Sequence, residues 1–119
     1  MDITEKVATS LYHDVFSLMD HYVETFKSTD KKNDVFTFAK EIFDNCTEKE
    51  KILFLGFLKI ILTDSASMIL GALDGSGGNI LETCEDIDMF CDGKKVEPWL
   101  NELFLEMVEN SYETKKRTS

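Results

Sequence analysis

Residues 47–73 read TEKEKILFLGFLKIILTDSASMILGAL. This stretch decides the fold. Its opening, Thr47-Glu48-Lys49-Glu50, is a capping box: the Thr hydroxyl accepts from the amide three residues on, and the Glu carboxylate reaches back. The run Ile52 to Leu62 then places apolar residues on nearly every helical face, with Lys59 among them. A helix that is apolar all round is expected at the centre of a core. The sequence therefore predicts a central apolar helix surrounded by others. Gly56 costs about 1 kcal/mol against Ala in a helix interior, and is expected to let a neighbour approach. Thr63-Asp64-Ser65 reads two ways: as a break that caps a new helix, or as a polar turn on one helix reaching Leu73.

The same stretch, Ile52 to Leu73, is long enough to span a bilayer. Lys59 and Asp64 argue against that, since each mid-bilayer charge costs roughly 2.5–3.5 kcal/mol on insertion scales. The expectation is a buried core helix and no membrane. The N-terminus, Met-Asp-Ile-Thr-Glu-Lys, lacks the basic and apolar regions of a signal peptide. With three Cys, few and odd in number, the chain does not read as a disulfide-framed secreted module, and a cytoplasmic location is expected.

Upstream, Ile3, Val7, Leu11, Val15, Leu18, Met19, Tyr22, Val23 and Phe26 recur at steps of three and four. They form one apolar stripe on a helix over about Thr4–Phe26, with Asp2 or Thr4 as its cap. Residues 27–33 hold no apolar side chain and read as a polar connection. A second helix starts near Asn33 or Asp34, with Val35, Phe36, Phe38, Ala39, Ile42 and Phe43 as its buried face. It ends at Asp44-Asn45-Cys46, and its phenylalanines read as a core wedge.

Downstream, Asp74-Gly75-Ser76-Gly77-Gly78 is a firm stop, with Gly75 suited to the left-handed conformation that closes a helix. From Asn79 to Val96 the periodicity fits a helix or a strand. Asp92-Gly93, between Met89-Phe90-Cys91 and Lys94-Lys95-Val96, favours an irregular excursion with a small hairpin. The last helix is predicted to begin at Pro98, with Leu100, Leu103, Phe104, Met107, Val108 and Tyr112 as its stripe and Trp99 packed at its entrance. Residues 113–119 are expected to fray. The fold class that follows is all-α: one domain over residues 1–119, a four- to five-helix bundle with a Gly-rich loop and a small hairpin before the last helix.

The chain carries 13 Lys+Arg against 23 Asp+Glu, a net charge of −10, so it is a poor general binder of nucleic acid. The acidity is uneven. Met1–Ile61 holds 11 acids against eight lysines, Leu62–Tyr112 11 acids against two, and residues 113–119 one acid against three bases. Glu102, Glu106, Glu109 and Glu113 recur at three and four on the last helix, and Asp86 and Asp88 lie in the excursion.

No catalytic or metal pattern stands out. Cys84 and Cys91 are seven apart with Cys46 distant, which is not zinc spacing, and the thiols read as small buried hydrophobes. The Glu-x-x-His units of a di-iron bundle are absent; His13-Asp14 and Asp20-His21 read as a polar helix face. Asp74 and Glu85 fall at the first and twelfth positions of a calcium loop, but Asn79 stands where such a loop needs Gly. The glycines follow a helix C-terminus, whose dipole repels phosphate. No metal, cofactor or catalytic residue is assigned.

Three readings follow. The first is a small acidic non-enzymatic interaction protein, immunity-like or inhibitor-like by analogy of size and charge. It would bind a protein partner, a basic one by charge complementarity, through Glu102, Glu106, Glu109, Asp86 and Asp88. The alternative is a small-molecule or metal-binding bundle with a pocket among Phe36, Phe38, Phe54 and Phe57 and with His13 or His21 at its mouth. The third, compatible with the first, is a homodimer that completes the burial of the central helix.

Overall fold

The computed structural model describes residues 1–28 and 37–118, with side chains described as far as Tyr112 in the last helix. The chain is mostly helical, with one small antiparallel sheet. Helix α1 spans Ile3–Lys27, α2 Thr37–Asp44, α3 Glu48–Leu73 and α4 Ile80–Thr83. Strands β1 (Met89–Cys91) and β2 (Lys94–Val96) follow, and α5 spans Leu100–Thr118. The expected start of the second helix, with Val35 and Phe36, lies outside the described residues.

Local chemistry accounts for the helix ends. Asp2 caps α1, its Oδ1 accepting from the Glu5 amide at 2.9 Å. At Thr47 both arms of the capping box are made: the Glu50 amide donates to Thr47 Oγ1 at 3.2 Å, and the Thr47 amide donates to Glu50 Oε1 at 2.9 Å. The Thr47 amide, and after it the Thr47 side chain, hold the Glu50 carboxyl below its ordinary value of 4.5. Helix α3 passes through Thr63-Asp64-Ser65 unbroken and stops where the glycines begin. Gly75 has φ +80°; its amide donates to Ala72 O at 3.1 Å and the Ser76 amide to Gly71 O at 2.9 Å. That pair of bonds is the Schellman closure.

The hairpin forms as its turn residues demand. Asp92 and Gly93 both take positive φ, 53° and 73°, and Met89, Phe90 and Cys91 face Val96, Lys95 and Lys94. Val96 is buried against the helices, which gives this marginal unit its support.

The core is the seam of α1 and α5, whose contact is the most extensive in the molecule. Ala8 of α1, Leu70 of α3, Val96 of β2, and Leu100, Phe104 and Val108 of α5 form it. Thr4 is buried there too, and its hydroxyl accepts from the Glu97 amide at 2.9 Å, tying the start of α1 to the chain leaving β2. A second cluster stacks Phe26, Phe43 and Phe54 with centroids 5.5–5.9 Å apart, joining α1, α2 and α3.

Several expectations need correction. Helix α3 is not central. Of its 26 residues only Leu70 is buried. Among the described residues, its extensive contacts are with α1 and α5, which lie along one side of it. The wedge on α2 is carried by Phe43 alone among the described phenylalanines, since Phe38 and Ile42 are exposed. Helix α5 begins at Leu100, two residues after Pro98. Its cap comes from across the molecule: Asp74 accepts from the Leu100 amide at 3.2 Å and from the Asn101 amide at 2.7 Å. Trp99 is 45% exposed. The backbone of α5 stays helical to Thr118, because Glu, Thr, Lys and Arg there sustain a helix without a strong breaker. None of the thiols is fully buried, and Cys84 is exposed.

Candidate functional site

Two surfaces and no interior site stand out among the described residues. On α5, the spacing that buries Leu100, Phe104 and Val108 turns Glu102, Glu106 and Glu109 outward. Steps of four and three keep the three carboxylates on one side of the helix. All three are exposed. The Glu113 side chain lies outside the described side chains. Asp86 and Asp88 are exposed as well, but on the chain between α4 and β1 rather than on α5. Asp88 is partly engaged, 3.9 Å from Lys95 of the hairpin.

The second surface is the outer side of α3. Ile52, Leu53, Phe57, Ile60, Ile61, Met68 and Ile69 are between 44% and 73% exposed. The inner side carries Phe54 and Leu70, which pack into the two clusters, together with several polar and small residues. Lys59 points at α1 and α5, its Nζ 3.9 Å from the Tyr112 ring centroid, 5.4 Å from that of Phe16, and 3.5 Å from Ser111 Oγ. Thr63 Oγ1 is buried with no partner. Ala66, Ser67 and Gly71 continue this side, and a Cβ on Gly71 would lie 3.5 Å from Asn101 Nδ2. Short side chains there let α5 come close, while seven of the bulky apolar side chains of α3 turn to solvent.

The sequence held a signal for this arrangement. Lys59, Thr63, Ala66 or Ser67, and Gly71 recur at three- and four-residue steps, which is one helical side. That side is where a neighbouring helix fits closely.

The expected aromatic pocket does not assemble from the described residues. Phe38 and Phe57 are exposed, Phe54 packs into the Phe26–Phe43 stack, and Phe36 lies outside the described residues. His13 and His21 are both exposed on α1. Among the described residues no three His, Cys, Asp or Glu side chains converge as metal ligands do. A small cleft, open to solvent, lies between the end of α3 and the hairpin, with Leu73, Asp74, Met89 and Val96 among its walls. Asp74 is committed to capping α5. The cleft walls carry no His, Ser or Cys; their ionisable side chains are Asp74, Asp88, Lys95 and Glu97, with Lys95 3.9 Å from Asp88.

No protein-family model, curated protein or solved structure matches this chain.

Proposed function

We propose that the protein is a small, acidic, non-enzymatic interaction protein that binds a basic protein through the outer side of α5. The observation that supports this reading is the disposition of Glu102, Glu106 and Glu109, exposed together along the side opposite the buried Leu100, Phe104 and Val108. Three carboxylates on a rigid helix present a fixed comb of negative charge, backed by a net charge of −10. Such a surface steers a cationic partner and sets its register. Asp86 and Asp88 extend the negative field without sharing the helix. In this reading the partner is met in the cytoplasm, and neither nucleic acid nor a membrane takes part.

The test is capture at low salt on immobilised wild-type chain, beside a variant with Glu102, Glu106 and Glu109 all changed to Lys. The expected result is a basic protein retained by the wild type and lost by the variant. Its association rate should fall roughly tenfold or more as salt screens the encounter. Capture of nothing basic, or equal capture by the variant, defeats the proposal.

A further inference from the structure

We infer that the outer side of α3 is the interface of a two-fold homodimer, in which α3 of one copy lies antiparallel on α3 of a second copy. The inference does not depend on the α5 ridge. Seven large apolar side chains are exposed between Ile52 and Ile69. Counted together across the Asp64-Ser65 interruption, they present on the order of 700 Å² of apolar surface, against about 300–600 Å² for the largest single patch on a typical monomer. Their total is close to the roughly 800 Å² that each partner gives to a stable interface of standard size.

The pattern suits self-pairing. Leu53, Phe57 and Ile61 form one row at four-residue spacing, and Ile52, Gly56 and Ile60 form the row beside it. Gly56 has open space around the place a Cβ would take, so no neighbour within the chain uses its lack of a side chain. It leaves a notch on the outer side, where a facing helix can seat a side chain. Asp64 and Ser65 interrupt the apolar rows before Met68. Parallel pairing would set the two Asp64 carboxylates against each other. Antiparallel pairing about an axis near Ile60 and Ile61 sets Asp64 and Ser65 opposite Phe57 and Gly56, and Leu53 opposite Met68. The two carboxylates then stand about 10 Å apart along the helices, at 1.5 Å per residue. The same pairing brings Lys49 beside the last turn of the other α3, the negative end of its dipole.

A bilayer is the competing occupant, since α3 is long and apolar enough to cross one. Spanning would strip α1 and α5 from the helix and leave Lys59 without Tyr112 and Phe16. Lying on an anionic surface is opposed by the net charge of −10. A second copy needs neither change and buries the face on itself.

The experiment measures the mass of the full chain by light scattering over a wide concentration range, beside Phe57→Glu and Ile60→Glu. Both residues are more than half exposed, so circular dichroism should show the helices intact. Ile52→Lys, at the most exposed of the seven positions, serves if either variant unfolds. The expected result is twice 13.6 kDa for wild type and 13.6 kDa for the variants. A wild-type monomer at every concentration overturns the proposal. So does a dimer that the folded variants retain, which would use another face. Flotation of a wild-type monomer with phosphatidylcholine–phosphatidylserine vesicles overturns it in favour of a membrane.

Discussion

Lys59 decides which way α3 faces. A helix apolar on every side has no preferred rotation from hydrophobicity alone. The ammonium over the Tyr112 ring at 3.9 Å, with Phe16 and Ser111 beside it, supplies one. A cation over an aromatic face contributes about 0.5–2 kcal/mol, and the aliphatic stem adds packing. Lys59→Ala should therefore cost about 1–2 kcal/mol in urea unfolding. A double-mutant cycle with Tyr112→Leu should leave a coupling of about 0.5–1 kcal/mol, whereas additive single effects would show that the ring contact contributes nothing. Lys59 was visible in the sequence only as a charge that argued against a membrane. Its partner at Tyr112 is 53 positions away, and nothing local points to it. The Thr4–Glu97 bond and the capping of α5 by Asp74 were hidden for the same reason. Each is a polar group answering a backbone amide across the fold.

At the scale of elements, what was legible is what neighbours along the chain determine. The Asp2 cap, the Thr47–Glu50 box, the glycine stop and the Asp92-Gly93 turn are all local devices, and all form. The box carries a pH signature. Glu50 accepts these hydrogen bonds more strongly as a carboxylate than as a neutral acid, so its folded pKa lies below 4.5. A group depressed on folding adds stability above its unfolded pKa and loses it as pH falls through the folded one. The carboxyl carbon of Glu50 should thus titrate in NMR with a midpoint below 4.5, and exchange protection of the first turn of α3 should fade over that descent. Glu50→Gln should remove the pH dependence while keeping part of the cap. The side of α3 that turns inward was not legible from apolar periodicity, which cannot distinguish two apolar sides; the row Lys59, Thr63, Ser67 and Gly71 was the signal that marked it. The run to Thr118 in α5 was missed because the tail was judged by burial, and residues with adequate helix propensity sustain a helix without it.

Taken whole, the molecule carries two surfaces with opposite responses to salt. If the α5 ridge meets a basic partner as proposed, long-range charge drives the encounter, and added salt should weaken that contact. The proposed α3 dimer would join two copies that each carry −10, so added salt should screen their repulsion and tighten the pair. Sedimentation across a salt series should show the dimer constant strengthening while capture of the basic partner declines. Parallel decline of both would mean that one acidic surface serves both contacts. The ridge itself was legible before the fold, because charge spacing on a helix needs no partner to be seen. Its freedom from the core was not, since that depends on Phe104 and Val108 being the residues that α1 covers.

Pairing through α3 leaves α5 outside the contact, so the two-fold assembly displays Glu102, Glu106 and Glu109 twice. A target with two basic patches that span the pair binds the second comb as an intramolecular event, at an effective concentration set by the geometry of the dimer. The strength of capture then becomes a matter of avidity. It would rise steeply once the chain is concentrated enough to dimerise, although neither comb has gained a contact.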